Sequence, residues 1–309
     1  MLLLLLACTD DVQTAALPHT RNFSEPMAAS GLEAHVTYLA SEALAGRRVG
    51  TEGDAMAVSY LEDQLAAAGF EAPMGGAEQS FMNIDDTASV NVLGVRWGED
   101  PDVGDEIVVV GAHHDHLGQA VSGYYPGAND DGSGLAVLLG LAQAFGSGAA
   151  PDRTLVLAAW GSEEVYLDGS FAYVDDTPED LPLGDTVFYV NLDMVGTYNA
   201  ENTIYALDAV SGGDGRPIVK AAAEAANLSV NLDEIGSLSD SVNFCDAGVP
   251  ELFFYTDDPE CYHQTCDTAD RLDYDDLAAV GVLVGNVVDA LTDAGQELAS
   301  GRAGGCPAG

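Results

Sequence analysis

Positive charge is what this chain has least of. Nine Lys and Arg stand against 51 Asp and Glu, a formal net charge of −42. A chain so acidic repels nucleic acid and anionic membrane surfaces, so neither is an electrostatic partner. The imbalance reads either as a solvated, self-repelling surface or as adaptation to salt, which screens the repulsion. Long apolar runs are missing too. The leader is Met1, five leucines, Ala7 and Cys8, far too short to span a bilayer. There is no internal repeat, and no long insertion between 70 and 106 that could carry an extra domain. The five cysteines contain no thiolate set for a closed structural zinc.

What is present suffices for a core. Hydrophobic residues make up 47% of 309, and one large domain is the simplest reading. Residues 1–8 look like the end of an export signal, and Leu5-Leu6-Ala7-Cys8 resembles a bacterial lipobox, with Cys8 as the lipidated mature terminus. The protein is then expected to be exported, anchored at the cell envelope or secreted, and to meet a membrane only through a lipid on Cys8. Residues 9–30, rich in Thr, Ala, Ser and Pro, read as a tether. The folded domain is expected over 31–297, and 298–309 as a disordered tail. Cys261 and Cys266 are close enough to bridge a tight loop, which an exported setting permits. Cys245 reads as a buried thiol, and Cys306 lies in a Gly-rich tail.

Apolar spacing predicts helices over 31–44 and from Asp54, its N-cap, to a closing Gly69. Residues 70–88 look irregular. Strands are expected at 91–95, 106–112, 154–160, 186–192, 202–207 and 250–255. Helices are expected at 134–145, 169–174, 217–226 and 241–247, with a long terminal one around Leu277, Val280, Val287 and Leu291. Strand–helix alternation points to an α/β fold, a mostly parallel mixed β-sheet with helices on both faces.

Polar chemistry gathers where apolar strands end. Ile107 to Ala112 runs into His113-His114-Asp115-His116, and Asn129-Asp130-Asp131 follows before a glycine-rich helix start. Glu163 and Glu164 come after strand 154–160, Asp193 after 186–192, and His263 after 250–255. Ser239-Asp240-Ser241 opens a helical turn. Each has an ordinary explanation alone. Paired glutamates cap helix amino termini, a lone aspartate sits in a turn, and a lone histidine sits on a surface. Their coincidence at one sheet edge is harder to explain, because clustered carboxylates repel unless cations join them. Imidazoles mixed with carboxylates suit zinc better than magnesium or calcium, in an open catalytic site. On an extended chain His113 and Asp115 share a face, so His113 could bind metal with Asp115 behind a ligand imidazole. His114 and His116 point the other way and read as structural or substrate-facing.

Gly-Ala-His-His-Asp, Pro-Gly-Ala-Asn-Asp-Asp-Gly-Ser-Gly, Glu-Glu, Asn-Leu-Asp-Met-Val-Gly and Cys-Tyr-His-Gln-Thr-Cys-Asp-Thr occur in that order. Together, over about residues 31–295, they resemble the exported bacterial leucyl-type aminopeptidases with a co-catalytic di-zinc centre. That family also includes glutamate carboxypeptidases and glutaminyl cyclases. Tyr38-Leu39-Ala40 and Gly46-Arg47-Arg48 look family-like as well. The resemblance implies a three-layer zinc-peptidase fold and two Zn2+ per chain. It places His113 and Asp193 on one zinc, Glu164 and His263 on the other, and Asp130 bridging both. Glu163 matches the general acid/base and Tyr262 the phenol that stabilises the tetrahedral intermediate. It also implies a Cys261–Cys266 disulfide and a cis peptide after Asp130. Where the family carries Ser-Asp-His, this chain has Ser241 in the last place, and Leu238 stands where some aminopeptidases have an arginine that touches substrate.

The expected activity is metal-dependent removal of the amino-terminal residue from peptides with a free N-terminus. The alternatives are a carboxypeptidase or glutaminyl cyclase on the same scaffold, or a non-catalytic acidic binding protein. The complete ligand set and Glu163 argue against the last.

Overall fold

The computed structural model describes Leu17 and residues 21–73, 75–198, 202–207, 215–232 and 239–298. Cys8, the leader, Leu238, Cys306 and the tail from 299 lie outside the described residues.

The centre of the molecule is four parallel strands. β3 (Ile107–His113), β4 (Thr154–Trp160) and β5 (Thr186–Leu192) are seven-residue runs, and β8 is Glu251–Tyr255. β3 and β4 are buried along their whole length, as expected of strands covered on both faces. Around them lie β1 (Glu78–Met82), β2 (Ala88–Arg96), β6 (Ile204–Leu207) and β7 (Val230–Asn231). The order across the eight-stranded sheet is β1-β2-β4-β3-β5-β8-β6-β7. Antiparallel pairs join β1 to β2, β2 to β4, and β6 to β8, so the sheet is mixed.

Helices cover both faces. α1 (Ala29–Leu39), α2 (Glu52–Ala68), α3 (Gly132–Gly146), α5 (Gly215–Ala226) and α7 (Tyr274–Leu291) enclose the larger core, with Val108, Val110, Leu155 and Leu157 pointing into it. α4 (Asp168–Asp175) and α6 (Ser241–Asp246) cover the smaller one, which takes the alternate residues Val109, Val156 and Ala158. The single α/β domain expected from the alternating pattern is what is found.

Several boundaries differ from the sequence expectation. The tether expected over 9–30 ends early. Phe23 and Met27 are buried in the larger core, Leu17 packs against it, and Arg21 pairs with Asp289 at 3.0 Å. The groove that takes Phe23 is opened by Gly285 of α7, where a Cβ would come within 2.5 Å of the Phe23 ring. Leu298, assigned to the tail, also packs on the core. α1 stops at Leu39 rather than at 44. β1 lies in the stretch read as irregular; as an edge strand it buries little and leaves no apolar run. Thr51, not Asp54, is the N-cap of α2. Its Oγ1 accepts the Asp54 N–H at 3.4 Å, and the Asp54 carboxylate accepts the Gly50 N–H at 2.8 Å. Cys245, expected as a thiol, is buried and disulfide-bonded.

Candidate metal centre

Chain order places the site. From β3 the chain crosses to β4 on one side and then returns to β5 on the other, so the order reverses between β3 and β5. Open sheets leave a crevice at the carboxyl ends of strands at such a point. His113 ends β3 and Asp193 follows β5, and each lines that crevice.

His113 Nε2 lies 3.1 Å from Asp130 Oδ1 and 3.6 Å from Asp193 Oδ1. Its Nδ1 donates to the Asp115 carbonyl at 3.0 Å, which leaves Nε2 with a free lone pair. The Asp115 carboxylate is further from Nδ1, at 3.9 Å. Its main work differs from the expected orienting of an imidazole. Oδ1 accepts the Glu163 N–H at 2.9 Å and Oδ2 the Glu164 N–H at 3.3 Å. Those two glutamates cap no helix: α4 starts only at Asp168, behind Leu167. Glu164 Oε2 faces His263 Nε2 at 3.3 Å, and Asp130 Oδ2 faces the same nitrogen at 3.2 Å. Asp130 therefore stands between two imidazoles, one on each oxygen.

The loop carrying His263 is braced on both sides. Cys261 and Cys266 form a disulfide, and Asp267 just beyond accepts the N–H groups of Asn129 at 2.8 Å and Asp130 at 3.0 Å. Tyr262 stacks on the His263 ring, 3.8 Å between centroids, and is half exposed. The Asp130–Asp131 peptide is cis. Asp131 caps α3 by accepting the Gly134 N–H at 2.9 Å and also holds the His113 N–H at 3.1 Å.

The electrostatics are those of a cation site. Burial opposes charge on His113, but Glu163, Asp130 and Asp193 outweigh it and hold its pKa well above the usual value. His263 is raised to about 10 by Asp130 and Glu164. Burial opposes ionisation of Glu164, yet His116 and His263 bring it down to about 2. Burial pushes Glu163 well above the ordinary carboxylate range, aided by Asp193 and Asp240 despite the opposing His113. Asp130 Oδ2, Glu164 Oε1 and Asp193 Oδ1 are buried without a hydrogen-bond partner. Orphaned anionic oxygens facing imidazole nitrogens fit bound divalent cations. Two donor groups meet that description, His113 with Glu163 and Asp193, and His116 with Asp130 and Glu164, each with its ligand atoms within 4.8 Å of one another.

His116 is the residue whose expected place was wrong. β3 ends at His113, so strand alternation does not extend to it, and its Nδ1 lies 2.8 Å from Glu164 Oε1. His114 is structural, as its alternation suggested: Nε2 donates to the Val90 carbonyl at 3.0 Å, and Nδ1 lies 3.3 Å from Asp54. Three supports were not anticipated. Arg47 is fully buried and donates to the carbonyls of Leu39, His114, Pro126 and Gly127 at 2.7–3.0 Å. Gly127 lies at φ +61°, and a Cβ there would stand 2.8 Å from Arg47 Nη2. Asp240 is buried and accepts from Ser170 Oγ at 2.5 Å. Asp267 is the third, legible in the sequence only as part of the Cys-Asp-Thr motif.

A model of peptidase family M28 matches residues 91–288. The chain belongs to that family. Aminopeptidase YwaD of Bacillus subtilis is 34% identical over 209 residues, covering 63% of this chain and 43% of the relative. This chain spans about half the length of the curated relatives it matches first. Among solved structures, BSAP, a zinc aminopeptidase from Bacillus subtilis, superposes with a TM-score of 0.72 at 19% identity over 93% of this chain and 98% of its own. The glutaminyl cyclase of Porphyromonas gingivalis superposes at 0.67 and 20% identity over 85% and 98%. The M28 fold is thus common to both chemistries, and the site must decide between them.

Proposed function

We propose that this M28 chain is a zinc-dependent aminopeptidase with two zinc ions per chain, acting on peptides with a free N-terminus. The observation that carries this is Asp130, whose two oxygens face His113 at 3.1 Å and His263 at 3.2 Å. One carboxylate so placed can serve two cations. His113 and Asp193 would hold one, Glu164 and His263 the other. Imidazole with carboxylate suits zinc, which when bound would supply a water of lowered pKa and Lewis-acid polarisation of the scissile carbonyl.

The protein groups supply the rest. The Glu163 carboxylate takes the proton of the attacking water and returns it to the leaving amine. Asp115 fixes the Glu163 and Glu164 backbone, so base and donor are set by one residue. The Tyr262 phenol, pushed up to about 12 by burial and the nearby Asp130, keeps its proton at neutral pH and can donate to the developing oxyanion. A cavity of about 440 Å3 beside Glu163 and Asp193 is walled by Met194, Phe253, Tyr255 and Tyr262. Asp257 and Asp258 line it too, and carboxylates interspersed with apolar side chains suit an ammonium group on a hydrophobic amino-terminal residue.

The test is release of p-nitroaniline from leucyl-p-nitroanilide. Activity should vanish with a chelator, return with zinc, and be lost in Glu163→Gln with metal retained. Cyclisation of amino-terminal glutamine with one zinc per chain would instead support the cyclase. Export and a lipid on Cys8 belong to the same proposal, supported by the Leu5–Cys8 pattern alone. Lipid labelling that persists in Cys8→Ser would overturn the anchor at Cys8, and protein found only inside the cell would overturn export.

A further inference from the structure

His116 has no part in the five-donor scheme, yet it is fully buried against it. Its Nδ1 lies 2.8 Å from Glu164 Oε1 and 3.8 Å from Asp130 Oδ1. Distance alone suggests a hydrogen bond to Glu164. The alignment for one is absent: His116 Nδ1, His116 Nε2 and Glu164 Oε1 are all buried without a hydrogen-bond partner. An imidazole nitrogen and a carboxylate oxygen that lie side by side without bonding each other are aimed at a common third body. Glu164 is bracketed in this way by two rings, His116 on Oε1 and His263 on Oε2. The rings meet edge to face, 6.0 Å between centroids.

We propose that His116 is itself a ligand of the cation held by Glu164 and His263. The inference rests on the two-zinc reading above. The position then has four protein donors: His116, Asp130, Glu164 and His263. The other has His113, Asp193 and the shared Asp130, which leaves room for water or substrate beside Glu163. Structural zinc sites are closed by four protein donors and catalytic ones keep a place open. The two positions therefore play different roles, since one anchors its ion and the other exchanges ligands.

The two imidazoles of the anchoring position also differ. His263 stands on a surface loop with about a third of its side chain exposed. His116 has no exposure, and its backbone N–H donates to the Arg47 carbonyl at 3.2 Å. A preordered ligand loses less freedom on binding than a mobile one. His116 should then matter more to metal retention than His263.

Zinc content by mass spectrometry and zinc affinity by competition with a chromophoric chelator test this, with thermal melting in EDTA to compare folding. Wild type should bind two zinc ions; a single ion would refute the two-zinc reading itself. Given two, His116→Ala and the space-filling His116→Phe should each keep one and bind the second at least 100-fold more weakly. His263→Ala should weaken the second less than either. Two ions at wild-type affinity in both His116 variants would overturn the proposal. A measurement on unaltered protein guards against misfolded variants. Loaded with Co2+, wild type should show three exchangeable hyperfine-shifted imidazole N–H signals in its proton NMR spectrum, from His113, His116 and His263. Two signals would overturn it.

Discussion

The carboxylate of Asp115 accepts the amide N–H of Glu163 at 2.9 Å, while the Asp115 carbonyl accepts Nδ1 of His113. One residue thus sets the proposed base and the tautomer of a proposed ligand. Its second oxygen holds the Glu164 amide. Asp115→Asn keeps the shape but offers one acceptor oxygen where two are used, and turns an NH2 toward an N–H. We expect kcat and zinc affinity to fall by about 10–100-fold, the range for groups that support metal ligands. Steady-state kinetics and zinc titration check this. Unchanged values for both would remove Asp115 from the site's support.

Glu163 follows from the same geometry. Glu163→Gln keeps the contacts of the backbone but cannot take a proton. A loss of about 10²–10⁴-fold in kcat is expected, typical of a general base. Zinc content should stay at the wild-type value. Tyr262→Phe should cost less, because its half-exposed phenol competes with water. Full activity in Glu163→Gln would show that another group moves the proton.

How far the sequence carried depends on whether a feature is local. β4 and β5 have the expected limits because uninterrupted apolar runs bounded by polar residues define them. β1 was missed because an exposed edge strand has no such run. The expected donors at 113, 130, 164, 193 and 263 were legible as motifs following strands, and they meet at one edge. His116 departs from its expected direction because strand alternation stops at His113, the last residue of β3. Arg47 and Asp267 were not legible as supports. Their contacts span 80 and 137 residues, and no local period reports a partner so distant.

Arg47 makes the most consequential of those long contacts. Its guanidinium joins the carbonyls of Leu39 and His114 to those of Pro126 and Gly127, so it ties the end of α1 to both sides of the site loop. Arg47→Met fills similar space but strands three carbonyls, those of Leu39, His114 and Pro126, since Gly127 also accepts the Gly132 N–H at 3.2 Å. Buried unsatisfied groups cost about 1–3 kcal/mol each before relaxation, so a net loss of about 3–5 kcal/mol in unfolding free energy is expected. Arg47→Lys, with three donors, should fall between. Urea unfolding of the metal-free proteins measures both. A loss below about 1 kcal/mol for Arg47→Met would mean that water reaches these carbonyls.

Asp240 sets a pH dependence whose sign can be worked out. Burial raises its pKa to about 7, with Ser170 as its hydrogen-bond partner and Asp193 and Asp115 adding to the rise against the opposing His113. Unfolded, the same carboxyl titrates near its reference value of about 4. Between those two values the folded state holds a proton that the unfolded state has lost. Unfolding free energy must therefore fall as pH rises through that window, by at most about 1.4 kcal/mol per pH unit from this group. Asp240→Asn is neutral throughout and removes the contribution. Buried Glu163 and Asp131 shift in the same direction, so the total slope is shared; the difference between wild type and Asp240→Asn reports Asp240 together with the part of the Glu163 shift that Asp240 causes. Urea unfolding of both metal-free proteins at several pH values from about 4.5 to 7.5, the window between the two pKa values, gives that difference. It should grow steadily in favour of the variant as pH increases. A difference independent of pH would show that Asp240 is already ionised in the folded protein at the acid end of that window, held so by the histidine at the end of β3.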